Sequence, residues 1–351
     1  MSDSRSAWTE AGPQDLGGGV YRMALPLPND GLRAVNVYAL VAGNGLVLID
    51  GGWALAESEQ RLVSSLDELG FGLSDITTFL VTHMHRDHYT QAVAVRRKVG
   101  SHVSLGIGEQ ANLRVTRELA RQPYQPHRFP HLVRTGAIAL LARMEAAGGV
   151  GLPGPEQDWE PPDSWLRDGT DVLAGDRRLD VIATPGHTQG HVVFHDAEAG
   201  LLFAGDHVLS QITPSVGLEA AQAPFPLRDY LNSLRLMFTL PDAMLLPAHG
   251  PVTTSVHQRV TELLAHHENR LAASAAAVAA GASTAYDAAL ALPWTRHRKA
   301  FGELDPENQL LAVAETAAHL DVLVLQRRLA SSTSPDGIEY YRQPDGTDRA
   351  G

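Results

Sequence analysis

Thr82-His83-Met84-His85-Arg86-Asp87-His88 is the stretch on which the fold turns. It follows an apolar run, Ile76 to Thr82, that reads as a buried strand, so the histidines occupy a strand-to-helix turn. Such a turn can aim the side chains of His83, His85, Asp87 and His88 at one point. Neutral imidazoles and a carboxylate suit zinc or a similar ion. A His-rich heptad can also be a surface accident, so the rest of the chain has to decide. Three further pieces lie downstream: Pro185-Gly186-His187-Thr188-Gln189-Gly190-His191, Phe203-Ala204-Gly205-Asp206-His207 and Pro247-Ala248-His249-Gly250. Each follows or ends a strand-like run. Strand ends are where α/β proteins gather their chemistry.

Composition narrows the chemistry. The chain has 351 residues and no cysteine, which excludes disulfides and thiolate ligands. Any metal must then be held by His, Asp or Glu. Lys and Arg number 28 against 40 Asp and Glu, a formal net charge of −12, which biases against a surface that tracks phosphates. No apolar run approaches the roughly 20 residues that span a bilayer. Met1 to Gln14 is polar and acidic, unlike a signal peptide, so a cytoplasmic location is the expectation.

Outward from the His cluster, Arg33 to Val41 alternates and Leu46 to Asp50 is a short buried strand before Gly51-Gly52. Ala56 to Leu69 reads as a helix closed by Gly70. Residues 109–165 break the rhythm. They predict a helix at Ala111–Arg121, a Pro- and His-bearing stretch from Gln122 to His131, a helix from Leu132 to Ala147 and a Gly/Pro-rich run, together an insertion over the core. Strands return at Arg178–Ala183, Val192–His195, Leu201–Ala204 and Met244–Leu246. Beyond them the pattern predicts helices at Ser255–Gly281, Ser283–Leu292 (Ser283 as N-cap) and Asn308–Leu329, then a turn at Ser334–Gly337 and a short strand.

The ordered set H-x-H-x-D-H, P-G-H-T, G-D and a late A-H-G resembles the metallo-β-lactamase superfamily, most closely its glyoxalase II-like hydrolases, over roughly residues 20–252. The resemblance implies an α/β fold of αββα sandwich type spanning 15–254, with the insertion at about 109–165. It also implies a C-terminal helical, winged-helix-like module over 255–345. It assigns His83, His85 and His187 to a first metal, Asp87, His88 and His249 to a second, and Asp206 to both, with Asp87 and Asp206 as catalytic carboxylates. Two divalent ions are implied, zinc fitting best and iron or manganese also acceptable to these donors. A hydroxide held between two such ions is the nucleophile this predicts. Asp50, His191 and His207 are expected to support the ligands rather than bind the ions. One departure stands out: after the motif the family usually places glycines, whereas this chain has Tyr89-Thr90-Gln91-Ala92.

Function is narrowed further by charge and by the insertion. Hydrolysis of a thioester or ester of a small acyl substrate is the leading expectation. A nuclease or phosphodiesterase, or a lactonase or β-lactamase, are the enzyme alternatives; a DNA-binding regulator acting through the C-terminal module is the non-enzyme one. Arg121, Tyr124, His127 and Arg128 are candidates for the polar end of the substrate, or else an ordinary solvated helix end. The predicted third helix carries Glu315 and Asp321 along its length and a basic pair, Arg327-Arg328, only at its end, which favours packing or homodimerisation over nucleic-acid binding. Arg86 is expected to be solvated or salt-bridged, and His195, His257, His266 and His267 to be exposed or on helix faces.

Overall fold

A computed structural model describes residues 7–28, 31–43, 45–121, 130–146, 154–221, 223–295 and 297–345. Tyr124, His127 and Arg128 lie outside the described residues. Seven strands form the first sheet in chain order: β1 (Pro13–Asp15), β2 (Val20–Pro26), β3 (Ala34–Ala42), β4 (Gly45–Ile49), β5 (Ile76–Val81), β6 (His102–Gly106) and β7 (Ser164–Leu166). Pairing is antiparallel from β1 to β4 and parallel from β4 to β7. The parallel steps need crossovers, supplied by α1 (Ala56–Glu68), α2 (Arg86–Val99) and, before β7, by α3 (Gln110–Ala120), α4 (Pro130–Val133) and α5 (Ile138–Ala146). The second sheet runs in the order β12 (Met244–Pro247), β11 (Leu201–Gly205), β10 (Val192–Asp196), β9 (Arg177–Ala183) and β8 (Asp171–Ala174).

β4 shows why the two sheets stack. All five of its residues are buried, as expected of a strand covered on both faces. Leu46 and Leu48 meet Leu62 and Leu66 of α1 and Ala92 and Val93 of α2. Val47 and Ile49 point the other way, to Phe194, Phe203 and Leu246 of the second sheet. The period-two alternation of a strand puts one set on each side. Fully burying each such side chain is worth roughly 1.5–3 kcal/mol.

The second sheet is covered in turn by α6 (Pro226–Leu236), α7 (Val256–Ala279), α8 (Ala285–Ala291) and α9 (Pro306–Leu325). Val193, Leu202, Ala204 and Leu245 share one core with Leu227, Tyr230, Val260, Leu263, Leu320 and Leu323. The layers are therefore helix, sheet, sheet, helix, an α/β fold of αββα type. Helix α9 also packs Leu310 and Val313 against Leu140 and Met144 of α5 and Ala289 of α8. It is buried on every side, as a helix without a polar face must be. Among the described residues no helix is long and apolar enough to cross a membrane.

Some local expectations need correcting. The helix expected over Leu132–Ala147 is two helices, because Gly136 adopts φ +81° beside Thr284. The cap of α8 is Thr284, whose side chain accepts the Asp287 N–H, while Ser283 donates its hydroxyl to Asp287 at 2.9 Å. The third C-terminal helix begins earlier, capped by Asp305, and stops at Leu325. Arg327 then turns into the left-handed region, and β13 (Ala330–Thr333) pairs with β14 (Glu339–Arg342) as a hairpin.

Candidate metal centre

The four motifs converge at one rim of the sandwich, because β5, β11 and β12 all end there, as does the loop after β9. His83, His85, His187 and Asp206 bring ligand atoms within 4.8 Å of one another, and Asp87, His88 and His249 form a second such group. Asp206 divides its carboxylate between them. Its Oδ2 is 3.4 Å from His187 Nε2, and its Oδ1 is 3.4 Å from His249 Nε2 and 3.7 Å from His88 Nε2. Asp87 Oδ2 lies 3.3 Å from His249 Nε2, and His85 Nδ1 lies 3.0 Å from His187 Nε2.

The outer ring nitrogens decide which way the lone pairs face. His88 Nδ1 donates to Asp50 at 2.9 Å, His187 Nδ1 to the Ser215 carbonyl at 2.6 Å, and His249 Nδ1 to the Ala34 carbonyl at 2.8 Å. His83 Nδ1 donates at 3.1 Å to the Thr82 hydroxyl, which itself donates to Asp50. With Nδ1 turned outward to these acceptors, Nε2 of each of the four rings is the atom that faces the centre, that of His187 lying against His85 Nδ1. His83 Nε2, His88 Nε2, His249 Nε2 and Asp206 Oδ1 are buried there without a hydrogen bond among the described residues. A buried acceptor left unpaired costs about 1–3 kcal/mol. Four of them gathered in two adjoining ligand groups fit divalent cations and nothing apolar.

Electrostatics separates the two groups. Burial, then the neighbouring rings, lowers His83 and His85, the latter to about 3, so these imidazoles stay neutral. His187 is lowered by burial too. Burial opposes charge on His88, but Asp50, Asp87 and Asp206 outweigh it and push the ring up to about 10. Asp87 is likewise held well below the usual carboxylate range, against its burial, by His88 and His249.

The surroundings fix these positions. Asp50 sits in the left-handed region at φ +61° and accepts from the Thr82 N–H at 2.8 Å. Backbone strain of this kind collects at functional sites. His191 accepts the Asp206 N–H on Nε2 at 3.2 Å and stacks on His83. His207 packs edge-on against Tyr230. The missing glycines after the motif have a counterpart across the contact. A Cβ on Gly51 would lie 2.6 Å from the Ala92 backbone nitrogen, so the close approach to α2 is made by the β4 loop instead. Arg86, expected to be solvated or salt-bridged, lies over the Trp53 ring at 4.1 Å. Arg121 is exposed and paired with Glu156, on a cleft shared with Arg114 and Trp165. His195 and His267, expected at the surface or on helix faces, are buried.

Several residues escape sequence reasoning. Asn36 holds the His249 loop through the Pro247 and Gly250 carbonyls at 2.8 Å each, and Tyr38 donates to Pro247 at 2.7 Å. Buried Glu109 and Glu219 lie behind the His187 loop. The only local signal for them is the glycine spacing of Gly106-Ile107-Gly108, since glycine at a strand end often marks a close backbone approach.

Similarity to known proteins agrees with this architecture. The chain is 28% identical over 304 residues to a probable metallo-hydrolase, YqjP, of Bacillus subtilis, covering 83% of this chain and 88% of that protein. It is 26% identical over 239 residues to an atrochrysone carboxyl ACP thioesterase of Aspergillus fumigatus, covering 68% of this chain and 58% of that one. The crystal structure of a metallo-beta-lactamase family protein from Thermus thermophilus superposes with a TM-score of 0.71 at 29% identity, covering 94% of this chain and 100% of the other. The family model of the metallo-beta-lactamase superfamily matches residues 30–249, from just ahead of β3 to the last of the motif histidines, and the chain belongs to that superfamily.

Proposed function

We propose that this metallo-hydrolase binds two zinc ions and hydrolyses a thioester or ester of a small acyl substrate. The observation that carries the dinuclear reading is the divided carboxylate of Asp206, one oxygen toward each ligand group. His83, His85 and His187 would hold the first ion with neutral donors. Asp87, His88 and His249 would hold the second, and Asp206 would serve both. Bound there, the pair supplies Lewis acidity toward a carbonyl oxygen and a water nucleophile at neutral pH. Asp87 and Asp206 offset part of its charge and orient the donors, while His191 keeps Asp206 in place through its backbone N–H. The chain has no cysteine, so no thiol nucleophile competes for the role.

Support for a carbonyl substrate comes from the thioesterase relative and from the net charge of −12, which repels a polyanion. The C-terminal residues 255–345 have the helix, helix, helix, hairpin order of a winged helix. We read them as a packing module, because the helix that would enter a groove, α9, is buried. The test is turnover of acyl-coenzyme A and acyl-glutathione thioesters beside lactones, β-lactams and a phosphodiester reporter, with zinc content fixed. Thioester cleavage is expected to lead. Fast phosphodiester cleavage with inert thioesters, abolished by His85→Ala, would give the site to a nuclease.

A further inference from the structure

The first ligand group draws on both sheets: His83 and His85 follow β5, whereas His187 follows β9. Something has to set the distance between these two loops, and Glu109, buried at the start of α3, touches both. Its Oε1 accepts the Thr188 hydroxyl at 2.5 Å and the Met84 N–H, between the two histidines, at 3.4 Å. Glu219, buried on the far side, accepts the Gln189 N–H at 2.9 Å and the side-chain amide of Asn112. Backbone packing closes the same joint. A Cβ on Gly106 would fall 1.9 Å from the Gly190 carbonyl oxygen, one on Gly108 2.6 Å from that of Gln189, and one on Gly190 2.1 Å from the Glu109 nitrogen. Burial pushes Glu109 up to about 7, and burial together with Glu109 pushes Glu219 up to about 9. Apolar groups of the same volume would fill this joint without the desolvation cost of two buried carboxyls.

We propose that Glu109 is a positioning residue for the first ligand group, clamping the peptide between His83 and His85 to the loop of His187, with Glu219 bracing that loop from behind. The second group is held instead by Asp50 on His88 and the Ala34 carbonyl on His249, so the clamp acts on the first ion only. This inference rests on the dinuclear reading.

Zinc affinities of metal-stripped protein, measured by competition with a chromophoric chelator, test it. Glu109→Leu is expected to weaken the first site by about 10–100-fold, the usual size of a lost outer contact, and to leave the second within about threefold. Glu109→Gln keeps the accepting oxygen and is expected to restore near-normal affinity. Thr188→Val removes one donor and should shift the first site in the same direction by less, which covers the case in which Glu109→Leu fails to fold. In a His85→Ala background, where only the second site remains, Glu109→Leu should change nothing. Equal weakening of both sites, or of the remaining site in that background, would overturn the clamp. Two zinc equivalents with Glu109→Leu indistinguishable from the parent would overturn it alone. Fewer than two equivalents in the parent chain would overturn the dinuclear reading and the clamp together.

Discussion

The two ligand groups share a carboxylate but are held by opposite physics. His83 and His187 lean on neutral acceptors, the Thr82 hydroxyl and the Ser215 carbonyl, and burial keeps the rings uncharged. His88 leans on a carboxylate, Asp50, and has Asp87 and Asp206 at its other nitrogen. The first group is therefore ready for a cation as it stands. The second lies among carboxylates that favour a proton on His88, so an ion bound there competes with that proton. Nearly the same donors, separated by a few ångström, differ because one group lies among rings and the other among carboxylates.

Removing what the groups share should have the largest effect. Asp206→Ala is expected to cost both zinc equivalents and at least about a thousandfold in turnover, since two sites fail together where one lost outer contact alone costs 10–100-fold. Elemental analysis beside steady-state rates checks it. Retention of one full equivalent would mean that Asp206 serves a single ion.

Proton competition should separate the groups next. His88, pushed up to about 10, is protonated in the metal-free chain at neutral pH, so the ion must displace that proton. The second site should then bind at least about tenfold more tightly for each pH unit gained between about 6 and about 8. His249, also raised, adds to the slope. The first site should stay nearly flat over that window, because His85, lowered to about 3, has no proton to lose. Chelator competition across the window measures both slopes, and parallel slopes would erase the distinction.

The smallest effect tests the support that Asp50 gives directly to the second group. Asp50→Asn can keep one acceptor for Thr82 while turning an amide toward His88 Nδ1. The second site is expected to weaken by about 10–100-fold and the first by less than about threefold. A loss confined to the first site would reverse the roles.

The candidate ligands were legible because each sits in a short motif at a strand end, where residue type alone states the chemistry. Asp50 was legible for the same reason, as the end of the apolar run Leu46–Ile49. Other features were hidden by distance along the chain. Glu109 meets Thr188 across 79 positions and Asn36 meets Pro247 across 211, and no local pattern announces such pairs. His267, expected to be exposed or on a helix face, is on a helix face, and a signal existed that it is the buried one. It falls midway between Leu263 and Leu271, on the stripe of α7 that is buried. The break at Gly136 and the helix end at Leu325 were missed because apolar periodicity continues through both, whereas the turn at Ser334–Gly337 and the strand after it were legible.

Sequence by itself determined the donor set, its order and the layered α/β class, since these follow from residue chemistry and from periodicities a few residues long. Only the tertiary structure decided which oxygen of Asp206 faces which group, which ring nitrogen carries the proton, and which carboxylates stand behind the loops. Those outcomes depend on how one sheet is set against the other. That register is chosen by the shared cores on either side of it, built from residues far apart in the chain.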